Sequence, residues 1–277
     1  MCRLFGVIAN KAVDVEFSLL RADKPFKALG ADNPDGWGIG WYDDGPRIYK
    51  EDISAVQSEQ LPGRVKEVRS PVIIAHVRRG TGAPPAKENS HPFSHDNFIF
   101  AHNGSVDKQR LCCLLREELK QELKGQTDSE VFFFWLVQKI RDKNDIVAGV
   151  RSAVSKVLRY NHTGLNFLLS DGNVLYAFRY SKGNTCYYSL YYLVREPNER
   201  GPLSLKSKET WMLLESKSLN NERAVLVCSE KLTEENWLEI PPGNMLIADS
   251  NLSTRLEQIC QLVDKDRQEQ EKKHGKK

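Results

Sequence analysis

The hydrophobic rhythm of this chain changes twice. Strand-like runs come first, at residues 2–9, 37–42, 47–51, 72–78 and 97–102. Helical spacing then takes over at about 107–123, at 128–141 and near 146–159. Strand-like runs return at 164–170, 173–180, 186–194, 211–216, 224–229 and 244–249, with a last helical stretch after about 251. Strands, then helices, then strands predict one mixed α+β domain with more than one sheet. No internal repeat or linker divides the 277 residues.

Local punctuation fits this order. Asp43-Asp44-Gly45-Pro46 joins two strands as a hairpin turn, and Asp171-Gly172 joins two more. Thr127 and Glu130 have the spacing of a capping box at the start of the second helix. Phe132-Phe133-Phe134-Trp135 reads as a buried helix face, and Cys112-Cys113 as packing in an amphipathic helix. The tyrosines from Tyr187 to Tyr192 read as a strand with one exposed face.

Charge narrows the function classes. A formal net charge of +3, with both signs interspersed, gives nucleic-acid binding no support. No apolar run is long enough to span a membrane, and the first residues do not have the layout of a signal peptide. A cytoplasmic protein with free thiols is the expectation for the six cysteines. His91 and His95 are four apart, but Pro92 argues against a helix there and no third ligand is evident. No metal or cofactor is expected.

Cys2 carries the chemistry. Aminopeptidases generally remove Met1 ahead of a small residue, leaving a thiol and a free α-amine on one residue. Unperturbed, these groups titrate near ~8.5 and ~7.7–8.0, so the amine can take the thiol's proton near neutral pH. Alone, a cysteine at position 2 is better read as a small hydrophobe opening a strand.

Four segments in order change that weighting: Met1-Cys2-Arg3-Leu4-Phe5-Gly6, Ala75-His76-Val77-Arg78, Ala101-His102-Asn103-Gly104 and Thr127-Asp128-Ser129-Glu130. With them the chain resembles the class II, N-terminal-nucleophile glutamine amidotransferases, from Cys2 to about Leu136 and more weakly through Val225–Ile247. Asp35-Gly36-Trp37-Gly38-Ile39-Gly40-Trp41 resembles the short, stand-alone branch, which includes γ-glutamyl amidohydrolases of thiol metabolism. The resemblance implies a four-layer α/β/β/α sandwich of two mostly antiparallel sheets, with the glutaminase domain at 1–264 and a charged, disordered tail at 265–277.

The resemblance also implies roles. Cys2 would attack the side-chain amide of glutamine and form a γ-glutamyl thioester. Asn103 and Gly104 would supply two donors to the oxyanion; on its own, Asn-Gly is a strand-ending turn. Arg78 would hold the substrate α-carboxylate through its planar fork, with Thr81 assisting. Arg79, where the family often has an aromatic residue, would point to the opposite face. Asp128 would take the α-ammonium, although an acid in the first turn of a helix also serves as a cap. Trp37 and Gly36 are candidates for the pocket wall, with Trp37 equally a core residue. His76 and His102 read as core histidines, since the mechanism already has a base.

Three functions are open at this point. The chain is a small-molecule amidohydrolase acting alone on glutamine or a γ-glutamyl amide. Alternatively it supplies ammonia to a separate synthase chain. The third reading is a non-catalytic binding protein that keeps the fold.

Overall fold

The computed structural model describes residues 2–183, 186–195 and 223–261. In chain order they form β1 (Arg3–Val13), β2 (Trp37–Tyr42), β3 (Pro46–Glu51), α1 (Leu61–Glu67), β4 (Ser70–Val77), β5 (Phe93–His95) and β6 (Phe98–Val106). Four helices follow: α2 (Lys108–Leu114), α3 (Glu117–Lys120), α4 (Asp128–Lys143) and α5 (Ile146–Val157). Then come β7 (His162–Ser170), β8 (Leu175–Phe178), β9 (Tyr191–Arg195), β10 (Ala224–Cys228), β11 (Leu238–Glu239), β12 (Asn244–Ala248) and β13 (Thr254–Gln258). The strands build two sheets, ordered β11-β9-β10-β1-β4-β2-β3 and β13-β12-β8-β7-β6-β5. Every strand pairing is antiparallel.

Side-chain alternation turns these sheets into layers. On β1, Leu4 and Ile8 join a core with Val72, Ile74, Ile99, Ala101 and Leu168, which fills the gap between the two sheets. Phe5 and Val7 point the other way, into a second core with Leu19, Phe26, Leu61 and Val65. On β6, Ile99 and Ala101 face the first sheet, while Phe100 faces the helices and packs on Phe132, Phe133 and Phe167. Three cores therefore separate four layers, and the fold is the α/β/β/α sandwich. Parity places Cys2 on the Leu4 side and Asn103 on the Ala101 side, so both belong to the gap between the sheets.

Helix α4 is buried nearly all round because it lies between the second sheet and α5. Phe132 to Trp135 are each at most 4% exposed. Trp135 Nε1 donates to the Ala153 carbonyl of α5 at 3.2 Å.

The structure departs from the sequence expectations at several elements. The helix expected over 107–123 is two short helices. The break at Leu115 and Arg116 is held by Gln138 of α4, whose side-chain amide donates to the Leu114 carbonyl and accepts from the Arg116 N–H. The stretch after 251 is strand β13, not a helix. Asp249 accepts from the Asn251 and Ser253 N–H groups, and this turn folds the chain back on β12. The strand expected from 186 begins only at Tyr191. Helix α1 escaped the periodicity reading because it is short; Ser58 Oγ accepts the Leu61 N–H at its start. The run at 211–216 and the tail at 265–277 lie outside the described residues. No helix among the described residues is long and apolar enough to cross a membrane.

Candidate active site

The pairing of β1 with β4 sets Arg3 opposite Val77, which brings the residues beyond each strand end together. Cys2 Sγ lies 3.3 Å from the Arg79 backbone nitrogen and 3.4 Å from the Arg79 carbonyl oxygen. Cys2 is half-buried at the wall of a cleft of about 680 Å³. Burial pushes its thiol pKa up; the Arg79 N–H and the Arg78 charge oppose this, and Asp128 adds to it. The thiol thus needs a base or an added positive charge to ionise near neutral pH.

Arg78 and Arg79 both line the cleft, in contrasting ways. Arg78 is 3% exposed and donates to the carbonyls of Asp35, Ala83 and Pro84. It forms no ion pair among the described residues. Burial lowers its pKa, while Cys2, Asp35 and Asp128 act to raise it. The guanidinium is therefore a fixed charge still lacking an anionic partner. Asp35 braces the same loop by accepting from the Gly80 N–H at 2.8 Å. Arg79 is exposed, as alternation predicts for its neighbour. Thr81 lines the cleft from the loop that follows.

The opposite wall comes from β6 and the start of α4. Gly104 has φ +151°, and a Cβ there would sit 1.7 Å from the Gly164 oxygen, so only glycine fits. The pairing with β7 shifts register between Gly104 and Val106, opening the strand at this point. Gly104 lines the cleft. Asn103 does not line it; it is 2% exposed between His102 and Gly104, which do. Its Nδ2 is buried without a hydrogen-bond partner. The Asn103-Gly104 pair lies within the strand and is not the turn that the dipeptide commonly marks.

Asp128 lines the cleft at the first turn of α4. Its carboxylate accepts from the Val106 N–H at 2.8 Å and from the Ser129 N–H. The cap itself is Thr127, whose side chain accepts the Glu130 N–H. Glu130 does not return the bond expected of a capping box; it accepts from the Lys124 and Gly125 N–H groups instead. Asp128 is thus left facing the cleft.

Three histidines sit under this site. His76 Nε2 lies 3.2 Å from the His102 carbonyl oxygen, and His102 Nδ1 lies 2.9 Å from Ser129 Oγ. His91 is 3% exposed, lines the cleft, packs tilted against His76 with ring centroids 4.2 Å apart, and has no partner at either ring nitrogen. Burial holds all three below the usual histidine range, His76 at about 3 and His102 at about 4. His95 belongs elsewhere, edge-on to Phe134 and 3.1 Å from an Arg141 nitrogen.

Cys2, Arg78, Thr81, Gly104 and Asp128 thus share one cleft, with Asn103 behind Gly104. Trp37 is not at the site: it is core on the outer face of the first sheet and donates to Glu51. Sequence reasoning missed Lys108 and Gln126, which line the cleft and meet where Lys108 Nζ donates to the Gln126 carbonyl at 2.8 Å. No local pattern marks either one.

Comparison with known proteins identifies the family and supports the fold. The family profile of the class II glutamine amidotransferases matches residues 1–274. An uncharacterised protein of Methanocaldococcus jannaschii is 31% identical over 262 residues, covering 89% of this chain and 69% of its own length. The Escherichia coli protein YafJ, named provisionally as a glutamine amidotransferase, is 28% identical over 257 residues, covering 88% of this chain and 95% of its own. The solved glutamine aminotransferase class-II domain protein of Silicibacter pomeroyi superposes with a TM-score of 0.64 at 24% identity. That match covers 93% of this chain and 99% of the other, and supports the fold.

Proposed function

Because this chain belongs to the class II glutamine amidotransferases, we propose that it hydrolyses glutamine or a γ-glutamyl amide through Cys2 as the N-terminal nucleophile. Removal of Met1 frees the α-amine. The amine takes the thiol proton, and the thiolate attacks the γ-carbonyl carbon. The oxyanion receives hydrogen bonds from Asn103 Nδ2 and the Gly104 N–H. As the tetrahedral centre collapses, the α-ammonium returns its proton to the leaving nitrogen, and ammonia or an amine departs. A γ-glutamyl thioester remains on Sγ. The α-amine then takes a proton from water, which attacks the thioester and releases glutamate.

Arg78 binds the α-carboxylate of the γ-glutamyl group, Asp128 its α-ammonium, and Thr81 assists the carboxylate. The glutaminase domain runs over residues 1–264.

The observation that carries this reading is convergence. Residues between positions 2 and 128 in sequence face one cleft, which offers a thiol, a fixed guanidinium without an anionic partner and a carboxylate. Beside it is a buried amide donor with nothing to bond. The test is glutamate release from glutamine and γ-glutamyl amides by protein whose intact mass shows Met1 removed. Turnover lost in Cys2→Ala supports the role of Cys2. Processed protein that releases glutamate from none of these compounds refutes the function.

A further inference from the structure

The cleft carries more positive charge than the γ-glutamyl group can use. Its charged lining consists of Arg78, Arg79, Lys108 and Asp128, and His91 and His102 stay neutral there through burial. A γ-glutamyl head brings one carboxylate and one ammonium. On the reading above, these take Arg78 and Asp128 and leave Arg79 and Lys108 without a counterion. Arg79 is exposed, and its guanidinium makes no hydrogen bond or ion pair among the described residues. Lys108 uses one donor on the Gln126 carbonyl, which leaves two of an ammonium's three donors open.

Position separates the two pairs of charges. Arg78 is buried and bonded to the loop that follows it, whereas Arg79, whose backbone contacts Cys2 Sγ, is exposed. Lys108 opens α2 on the solvent side of the cleft. The γ-glutamyl head belongs at the buried end, with the nitrogen side of the scissile amide towards the open end. The cleft volume of about 680 Å³ is in the range of pockets for ligands larger than a free amino acid.

We infer that Arg79 and Lys108 are specificity residues that bind an anionic group on the amine half of the substrate, a carboxylate a few bonds beyond the scissile nitrogen. The preferred substrate is then a γ-glutamyl amide of an acidic amine, rather than glutamine. This inference rests on the proposed glutaminase reading for the placement of the head group.

The test compares γ-glutamylglycine with γ-glutamylglycinamide, a pair that differs only in carboxylate against carboxamide. Binding is measured by calorimetry on Cys2→Ala protein with Met1 removed, so that turnover does not enter. The carboxylate compound should bind about tenfold more tightly at low salt. That preference should fall towards one when Arg79→Gln and Lys108→Gln are added. Arg79→Gln alone, in which every described hydrogen bond is kept, should lower it if the double variant does not fold. Equal affinity for the two compounds, binding of neither, or a preference that survives both substitutions overturns the inference. Glutamate release from glutamine by the wild-type protein tests the glutaminase reading separately, so the two failures are distinguishable.

Discussion

At the residue scale, two asparagines opposite each other on neighbouring strands have contrasting environments. Asn103 pairs in register with Asn166. Asn166 is fully bonded, donating to the carbonyls of Tyr188 and Ser189 and accepting from the Tyr180 N–H. Asn103 has a buried Nδ2 with no partner. Asn103→Ala should therefore cost roughly 2.7–4 kcal/mol of transition-state stabilisation with little loss of folding stability. Asn166→Ala should cost about 1–3 kcal/mol of folding stability by orphaning a buried N–H. Steady-state kinetics and denaturant melts of the two variants check the contrast. Arg78→Lys should raise KM for glutamine, because an ammonium replaces neither the fork nor the bonds to Ala83 and Pro84. Cys2, Arg78, Gly104 and Asp128 were legible in sequence because each sits in a short motif. Lys108 and Gln126 were not, since only the packing of α2 against the preceding loop of α4 brings them to the cleft. His91 was weighed only as a metal ligand, and its unpartnered nitrogens become visible only once the strands are stacked.

At the element scale, the long strands and the two long helices could be read from periodicity, while breaks and turns depended on distant partners. The interruption between α2 and α3 is stabilised by Gln138, more than twenty residues away, so no local signal announced it. Gln138→Ala should cost about 1–3 kcal/mol, because the Arg116 N–H and the Leu114 carbonyl lose their bonds together. Urea melts would measure it. The hairpin of β12 and β13 hid behind a charged sequence with helical spacing, and the Asp249 turn decided the outcome. Gly104 shows the opposite case, a turn-like dipeptide retained inside a strand because the neighbouring backbone leaves no room for a side chain.

At the scale of the whole molecule, three cores between four layers force a polar site into the end of the inner one, and the buried histidines follow from that. Their pKa values are lowered mainly by burial, His76 to about 3 and His102 to about 4. The unfolded chain thus takes up protons first as pH falls. The stability of the neutral rings is intact above about pH 6.5 and is lost progressively towards about pH 4, by about 1.4 kcal/mol per pH unit for each histidine. His91→Phe removes an unpartnered imidazole and should flatten this acid limb by one histidine's share, as read from denaturant melts at pH 7 and pH 5. The layer order could not be read from the strand count, which agreed with the sandwich without requiring it; the alternation of Leu4 with Phe5 and of Ile99 with Phe100 assigns the cores. The proposed mechanism depends on a free N-terminal Cys2 at the end of this inner layer. The most direct test is acid quenching of the protein during turnover of glutamine, followed by mass mapping of the N-terminal peptide. A peptide that begins at Cys2 and carries one γ-glutamyl group as a thioester is the predicted result. An active protein that retains Met1, or carries the acyl group on another residue, contradicts the mechanism.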